Sequence, residues 1–370
     1  MNIYEELGVR TFINAVDSET VLGGSLMPKE VLQAMNEASK HFVELEELEK
    51  KASEEIAKLT RNEACFITNS AAAGLTIAVS ACITGKDPMI RDSLPYIEKV
   101  QKQEVIIHRC QRNGFDFSVR QTGAKIVEIG NFMETNSYEL ESSINDRTAC
   151  IVYFAGSIFE KGALALEEVV TIAREYSIPV IVDAAAQLPP VENLWLYTEM
   201  GADMVIFSGG KTLRGPQASG LILGKKSFIE ACRMNASPNY SIGRSMKIGK
   251  EEIVGLLYAV RRYISLDHEK QSEFYERSVK KIIESLNFHP FIKVKRLYPG
   301  PVGQHYPRAG IYFQTFSEAE KIYIELKEGS PSIRTTLSIY DNSIIINPLH
   351  LDEEEIDIII ERLNMLLSNH

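Results

Sequence analysis

Two apolar runs stop abruptly at chemically active residues, and they limit the possible folds more than any other feature of the chain. Met204-Val205-Ile206-Phe207 empties into Ser208-Gly209-Gly210-Lys211, and Ile178-Pro179-Val180-Ile181-Val182 ends in Asp183-Ala184-Ala185-Ala186-Gln187. Unbroken apolar runs closed by small and polar residues predict strands buried on both faces that end in turns. The interval from Asp183 to Lys211 has room for one helix and one strand, so the pair is expected on neighbouring strand ends. In open α/β sheets that edge is where ligands bind. A lysine partly withdrawn from water loses some of its preference for the charged form, and its free amine can form an imine with an aldehyde. Each residue also has an ordinary alternative: Lys211 in a solvated turn, Asp183 as a helix cap.

The same alternation runs through the chain. Strands are expected over 64–68, 105–108, 125–129, 150–154 and 220–224, with helices over 115–122 and 166–176. This predicts a mostly parallel central sheet with helices on both faces. A helix opens at Pro28, an acidic one runs to Leu59, and a single long helix is expected over 250–287. The remainder reads as a small α/β domain, with strands over 293–298, 310–314, 333–337 and 343–347 and helices over 316–327 and 353–367. Asn69-Ser70-Ala71-Ala72-Ala73-Gly74 turns the first of these strands into a helix of small residues. Such a turn aims free backbone N–H groups and the positive end of a helix dipole at one spot, which suits a phosphate. Tight packing against a sheet also selects alanine there. In the loop 237–247, Arg244 and Lys247 stand without a carboxylate, a pattern that fits an anion as well as plain solvated surface.

The Asp183…Lys211 pairing resembles the pyridoxal-phosphate enzymes of the aspartate-aminotransferase superfamily, fold type I. The resemblance implies that Lys211 carries the cofactor and that Asp183 salt-bridges its ring nitrogen. It further implies that Ala185 lies against the ring, that Gln187 sits near its phenolic oxygen, and that Ser208, Ser70, Ala71 and Ala72 hold its phosphate. Tyr4-Glu5-Glu6-Leu7-Gly8-Val9-Arg10-Thr11, Leu22-Gly23-Gly24-Ser25, Arg112-Asn113-Gly114-Phe115-Asp116, Leu213-Arg214-Gly215-Pro216-Gln217 and Met246-Lys247-Ile248-Gly249-Lys250-Glu251-Glu252 extend it. Together they resemble the selenocysteine-synthase-like branch, and within it most of all the D-glucosaminate-6-phosphate ammonia-lyases. Gln111, expected at the cofactor ring, stands where that pattern carries histidine.

The resemblance implies a large cofactor-binding domain over 46–265, a small C-terminal domain over 266–370, and an N-terminal segment, 1–45, packing with the latter. It implies loss of water and ammonia from a 2-amino-3-hydroxy acid, phosphorylated or not, to give a 2-keto-3-deoxy acid, with Lys211 and Asp183 catalytic. Arg334 is expected at the substrate carboxylate, Arg214, Arg244 and Lys247 at a phosphate, and His41 in the pocket. The alternatives are another pyridoxal-phosphate chemistry on a small amino acid (seryl-tRNA selenium transfer, β-elimination, aldol cleavage or racemisation), or a cofactor-bearing protein with little catalysis. A homodimer or higher homo-oligomer is expected.

Charge and cysteine usage exclude other classes. A net charge of −10 with no long basic cluster argues against a nucleic-acid partner. The start Met1-Asn2-Ile3-Tyr4-Glu5-Glu6-Leu7 lacks a basic stretch leading into an apolar one, so no export signal is expected, and the longest weakly apolar run, 71–83, is too short to span a bilayer. Cys65, Cys82, Cys110, Cys150 and Cys232 form no Cys-x-x-Cys pair, which predicts reduced thiols, no metal site and a cytoplasmic protein.

Overall fold

The computed structural model describes residues 2–368 and divides into two units. One, Ser25–Leu266 with Pro301–Gln304, is built on a seven-stranded sheet. Its strands lie in the order Ala64–Thr68, Gly220–Gly224, Met204–Ser208, Val180–Asp183, Thr148–Phe154, Glu104–His108, Lys125–Ile129. Only Gly220–Gly224 runs against its neighbours. Helices cover both faces, which is why the strands read as unbroken apolar runs rather than as alternations.

The two faces are distinct apolar layers. Val180, Val182, Val205 and Phe207 pack with Ile56, Val169, Leu194 and Leu256, from helices Leu45–Leu59, Leu166–Glu175, Asn193–Glu199 and Lys250–Ser265. Ile181, Met204, Ile206 and Ile222 face the other way, onto Leu75, Ala78 and Val79 of helix Ala71–Thr84 and Ile229 of Lys226–Asn235. Helix Ala71–Thr84 is buried along nearly its whole length. Small residues let it lie close to the sheet: a Cβ at Gly74 would stand 3.1 Å from Ile206 Cγ2.

The other unit, Met1–Gly24, Asp267–Gly300 and His305–His370, holds a four-stranded antiparallel sheet ordered Thr336–Ser338, Ser343–Ile346, Arg308–Tyr312, Lys293–Leu297. Helices His268–Leu286, Phe316–Glu328 and Glu353–Ser368 cover it through Ile282, Ile322 and Ile359. A separate parallel pair joins Phe12–Asn14 to Ser332–Arg334.

Three expectations change. The single strand over 333–337 is two: Ser332–Arg334 pairs with Phe12–Asn14, and Thr336–Ser338 with Ser343–Ile346. The long helix over 250–287 is also two, since Asp267 caps a new helix by accepting the Lys270 N–H at 3.1 Å. The N-terminal boundary falls at Gly24/Ser25 rather than at 45. Helix Lys29–Ala38 packs on Lys250–Ser265, where Gly255 leaves room for the Met35 side chain, Arg262 pairs with Glu30 at 3.0 Å, and Lys250 Nζ donates to the Ala38 carbonyl at 2.9 Å.

Candidate active site

Asp183 and Ser208 end neighbouring parallel strands, with Asp183 paired to Ile206. Because side chains alternate, Asp183 shares a face with Ile181, and Ser208 with Met204 and Ile206. Both therefore stand on the layer of helix Ala71–Thr84. Asp183 is 9% exposed, and its Oδ1 accepts the Ala185 N–H at 3.0 Å. Burial pushes its carboxyl above the usual carboxylate range, while the Ala185 amide and the charge of Lys211 pull it back. Lys211 thus acts electrostatically on the buried acid, as expected of a pair on adjacent strand ends.

The turn after Ser208 is shaped by glycine. A Cβ at Gly209 would collide with Ser219 Oγ, and one at Gly210 would stand 2.5 Å from Gln217 Oε1. The Gly209 N–H donates to the Ser219 carbonyl, the Arg214 N–H to that of Lys211, and Thr212 Oγ1 to that of Leu188. The lysine is therefore held on a short, tightly bonded loop rather than a free turn.

Thr68, Gly220 and Ser208 stand in one row across three strands. Ser70 caps helix Ala71–Thr84, its Oγ accepting the Ala73 N–H at 3.0 Å. The N–H groups of Ala71 and Ala72 precede the first intrahelical bond and remain donors for a ligand. Gly220 lets the strand approach this turn: a Cβ there would lie 2.6 Å from the Ser70 carbonyl carbon. Asn69 to Ala72, Ala185, Ser208 and Lys211 are all partly exposed along this otherwise buried edge. A buried acid, a lysine acting on it and a small-residue helix N-terminus on the same face fit a flat aromatic aldehyde bearing a phosphate. Thr212 and Gln217, which hold this loop through the Leu188 carbonyl and against Gly210, were not singled out by sequence reasoning, because their partners lie outside any local pattern.

The remaining candidates are placed differently. Gln111 is fully buried, and both ends of its amide engage the Phe154 backbone, donating to the carbonyl at 3.2 Å and accepting the N–H at 3.1 Å. It extends the pairing of two strands and has no exposed surface to offer a ring. Gln187 Nε2 donates to the Val302 carbonyl at 2.9 Å, so this amide is directed at backbone rather than held ready for a phenolic oxygen. His41 is exposed, lies just past helix Lys29–Ala38 and bonds Glu37 in that helix's last turn, instead of lining a pocket. Arg214, at φ +57°, donates from Nε to the Leu26 carbonyl at 2.8 Å. Arg244 and Lys247 are exposed in their loop, with Arg244 over the Tyr240 ring. Arg334 belongs to the other unit, lies over the Phe12 ring at 5.4 Å, and its buried Nε makes no hydrogen bond among the described residues.

Comparison with known proteins gives the family. The family model described as SelA, L-seryl-tRNA selenium transferase, matches residues 13–276. D-glucosaminate-6-phosphate ammonia lyase of Salmonella typhimurium (strain 14028s / SGSC 2262) is 36% identical over 291 residues, 77% of this chain and 75% of that protein. The 5'-C-glycyluridine monooxygenase-decarboxylase of a Streptomyces species is 31% identical over 385 residues, 99% of this chain and 92% of that protein. A solved structure of D-glucosaminate-6-phosphate ammonia-lyase superposes with a TM-score of 0.86 at 31% identity, covering 100% of this chain and 99% of the other. The architecture is fold type I, and the chain belongs to the SelA, or L-seryl-tRNA selenium transferase, family.

Proposed function

We propose that the protein is a pyridoxal 5'-phosphate-dependent ammonia-lyase acting on a 2-amino-3-hydroxy acid, with 2-amino sugar acids such as D-glucosaminate 6-phosphate as its substrate class. The observation that carries this reading is the buried Asp183 under the charge of Lys211, on the same face as the helix N-terminus at Ser70. The 36% identity to a D-glucosaminate-6-phosphate ammonia lyase supports the substrate class.

When bound, the cofactor draws electrons from the substrate's α-carbon, weakening its C–H bond and the β-carbon's bond to oxygen. Lys211 Nζ would hold the cofactor through its aldehyde carbon and, as a free amine beside the reacting carbon, would accept the α-proton. Asp183 keeps the proton on the ring nitrogen. The buried carboxyl, destabilised as an anion when alone, gains most by meeting a cation. The Ala71 and Ala72 N–H groups, with the Ser70 and Ser208 hydroxyls, hold the phosphate, and Ala185 presents a small flat surface to the ring. Arg334 is the candidate for the substrate carboxylate, since a planar guanidinium binds a carboxylate at two points. Arg214, Arg244 and Lys247 are the candidates for a second phosphate. Water leaves the β-carbon and is regained at the α-carbon, so the net products are ammonia and a 2-keto-3-deoxy acid.

The test is a panel of D-glucosaminate 6-phosphate, D-glucosaminate, serine and threonine, with ammonia and 2-keto acid measured together. Equal release of both from a sugar acid is expected; absence of both from every panel member defeats the reading. A second reading follows from the Streptomyces relative, whose match spans 99% of this chain: an oxygen-consuming decarboxylation of an amino acid. Oxygen uptake with carbon dioxide release, and no 2-keto-3-deoxy acid, would select it.

A further inference from the structure

Beside Asp183 the sheet edge carries a backbone crossing that the proposed chemistry does not use. Pro301–Gln304 clusters with the sheet-bearing unit although the chain on either side belongs to the other. Val302 is held on both sides by glutamine side chains. Gln187 Nε2 donates to its carbonyl at 2.9 Å, and Gln304 Oε1 accepts its N–H at 3.3 Å. Both glutamines are buried, each 6% exposed.

Two glycines make the approach possible. At Gly156, φ +131°, a Cβ would stand 2.5 Å from the Val302 oxygen and 2.8 Å from Gln187 Nε2. At Gly303, φ +84°, it would stand 2.8 Å from the Ser157 backbone nitrogen. Both φ values lie where side chains other than hydrogen are strained. Gly156 follows strand Thr148–Phe154, whose Phe154 pairs with Asp183, and the Ala155 N–H donates to the Asp183 carbonyl at 3.0 Å. Gln187 is itself fixed from behind, its carbonyl accepting from Asn193 Nδ2 at 2.5 Å at the start of helix Asn193–Glu199.

We propose that Gln187 is a positioning residue for substrate, acting through Val302 to hold Val302, Gly303 and Gln304 as a specificity-determining wall next to Asp183. This rests on the lyase reading above. A short segment containing proline and glycine has little packing of its own, and a buried side-chain amide on its carbonyl replaces a bond that water would otherwise make. The crossing meets Gly156 and Ser157, just past the strand end that pairs with Asp183. Its loosening therefore affects how firmly substrate is held more than the chemical step.

The experiment uses the cofactor-loaded full chain in four forms: wild type, Gln187→Ala, Gln187→Glu and Gly303→Ala. Deuterium exchange of the peptide 299–305, the visible absorbance band, KM and kcat are measured for each. All three variants are expected to speed exchange in that peptide, keep the band at its wild-type position, and raise KM about tenfold with kcat within about twofold. The glutamate variant keeps the side chain's size but cannot donate to the Val302 carbonyl. Gly303→Ala reaches the same end without touching Gln187. A shifted or lost band in the Gln187 variants with unchanged exchange would overturn the proposal, assigning Gln187 to the ring instead. Faster exchange with unchanged KM would overturn it too. A wild type that carries no band defeats the lyase reading, while the exchange data still decide whether Gln187 holds the segment.

Discussion

Asp183 and His108 end parallel strands at the same edge of one sheet, two strands apart, and both are buried. Burial drives each toward its neutral form: the Asp183 carboxyl is pushed up, and the His108 imidazole is pushed down to about 4 from 6.5. Their surroundings then diverge. Residue alternation puts Asp183 on the layer of helix Ala71–Thr84, whereas His108 shares the opposite layer with Ile106 and meets the Tyr153 ring edge-on at 5.8 Å. Desolvation alone therefore does not make a site. What separates the two strand ends is their setting: a lysine's charge and a backbone amide act on Asp183, on the layer of the helix that Ser70 caps, and His108 lies on the other layer.

The largest expected effect tests that setting at its centre. Lys211→Ala should abolish the borohydride-sensitive visible band and lower turnover at least about a thousandfold. Retention of the band would place the cofactor's attachment elsewhere and erase the distinction between the two ends. Asp183→Asn comes next. It should retain some cofactor yet lose turnover about a hundredfold or more, because an amide cannot hold the ring nitrogen protonated. In the cofactor-free protein the same change should leave neutral-pH stability unchanged or raised, since it removes a buried charge. A melting-temperature drop would argue that Asp183 serves structure first.

The His108 end predicts a pH effect without a catalytic one. Its folded pKa lies below the unfolded value, so the unfolded chain binds more protons between pH 6.5 and about 4. The contribution is complete above pH 6.5 and is lost as pH falls toward 4, by about 3 kcal/mol for the full shift. His108→Phe should flatten that acid limb in denaturant titrations while turnover at neutral pH stays within about twofold. A large loss of turnover would mean that the His108 end is also part of the site.

Much of this contrast is legible in the residues. Apolar runs closed by Asp183 and by Ser208-Gly209-Gly210-Lys211 locate the strand ends, and Asn69-Ser70-Ala71-Ala72 locates the helix start, because each signal is local. The rest depends on distant partners. Nothing near Gln187 in sequence announces Val302, 115 positions away, and nothing near Gln111 announces the Phe154 backbone that takes up its amide. His41 looks like a pocket residue until its ring is found on Glu37. The helix break at Asp267 is a missed local signal: an aspartate ahead of His268-Glu269-Lys270 is an ordinary cap, overlooked because apolar spacing continues across it.

The smallest expected effect probes the helix N-terminus proposed for the phosphate. Gly220 lies between Thr68 and Ser208 in the sheet, and a Cβ there would press on the Ser70–Ala71 peptide at 2.6 to 2.9 Å. Those atoms are backbone and cannot swing aside, so Gly220→Ala must shift the turn that carries the Ala71 and Ala72 N–H groups. A displacement of this kind costs about 1–3 kcal/mol in packed interiors. Cofactor titration by absorbance should therefore show affinity weakened about tenfold, with Lys211 still able to form the band at saturation. An unchanged affinity would mean that the phosphate is not held at the Ser70 turn. The Asp183 end would then owe its chemistry to the acid and the lysine alone, which narrows its difference from the His108 end to a single neighbouring amine.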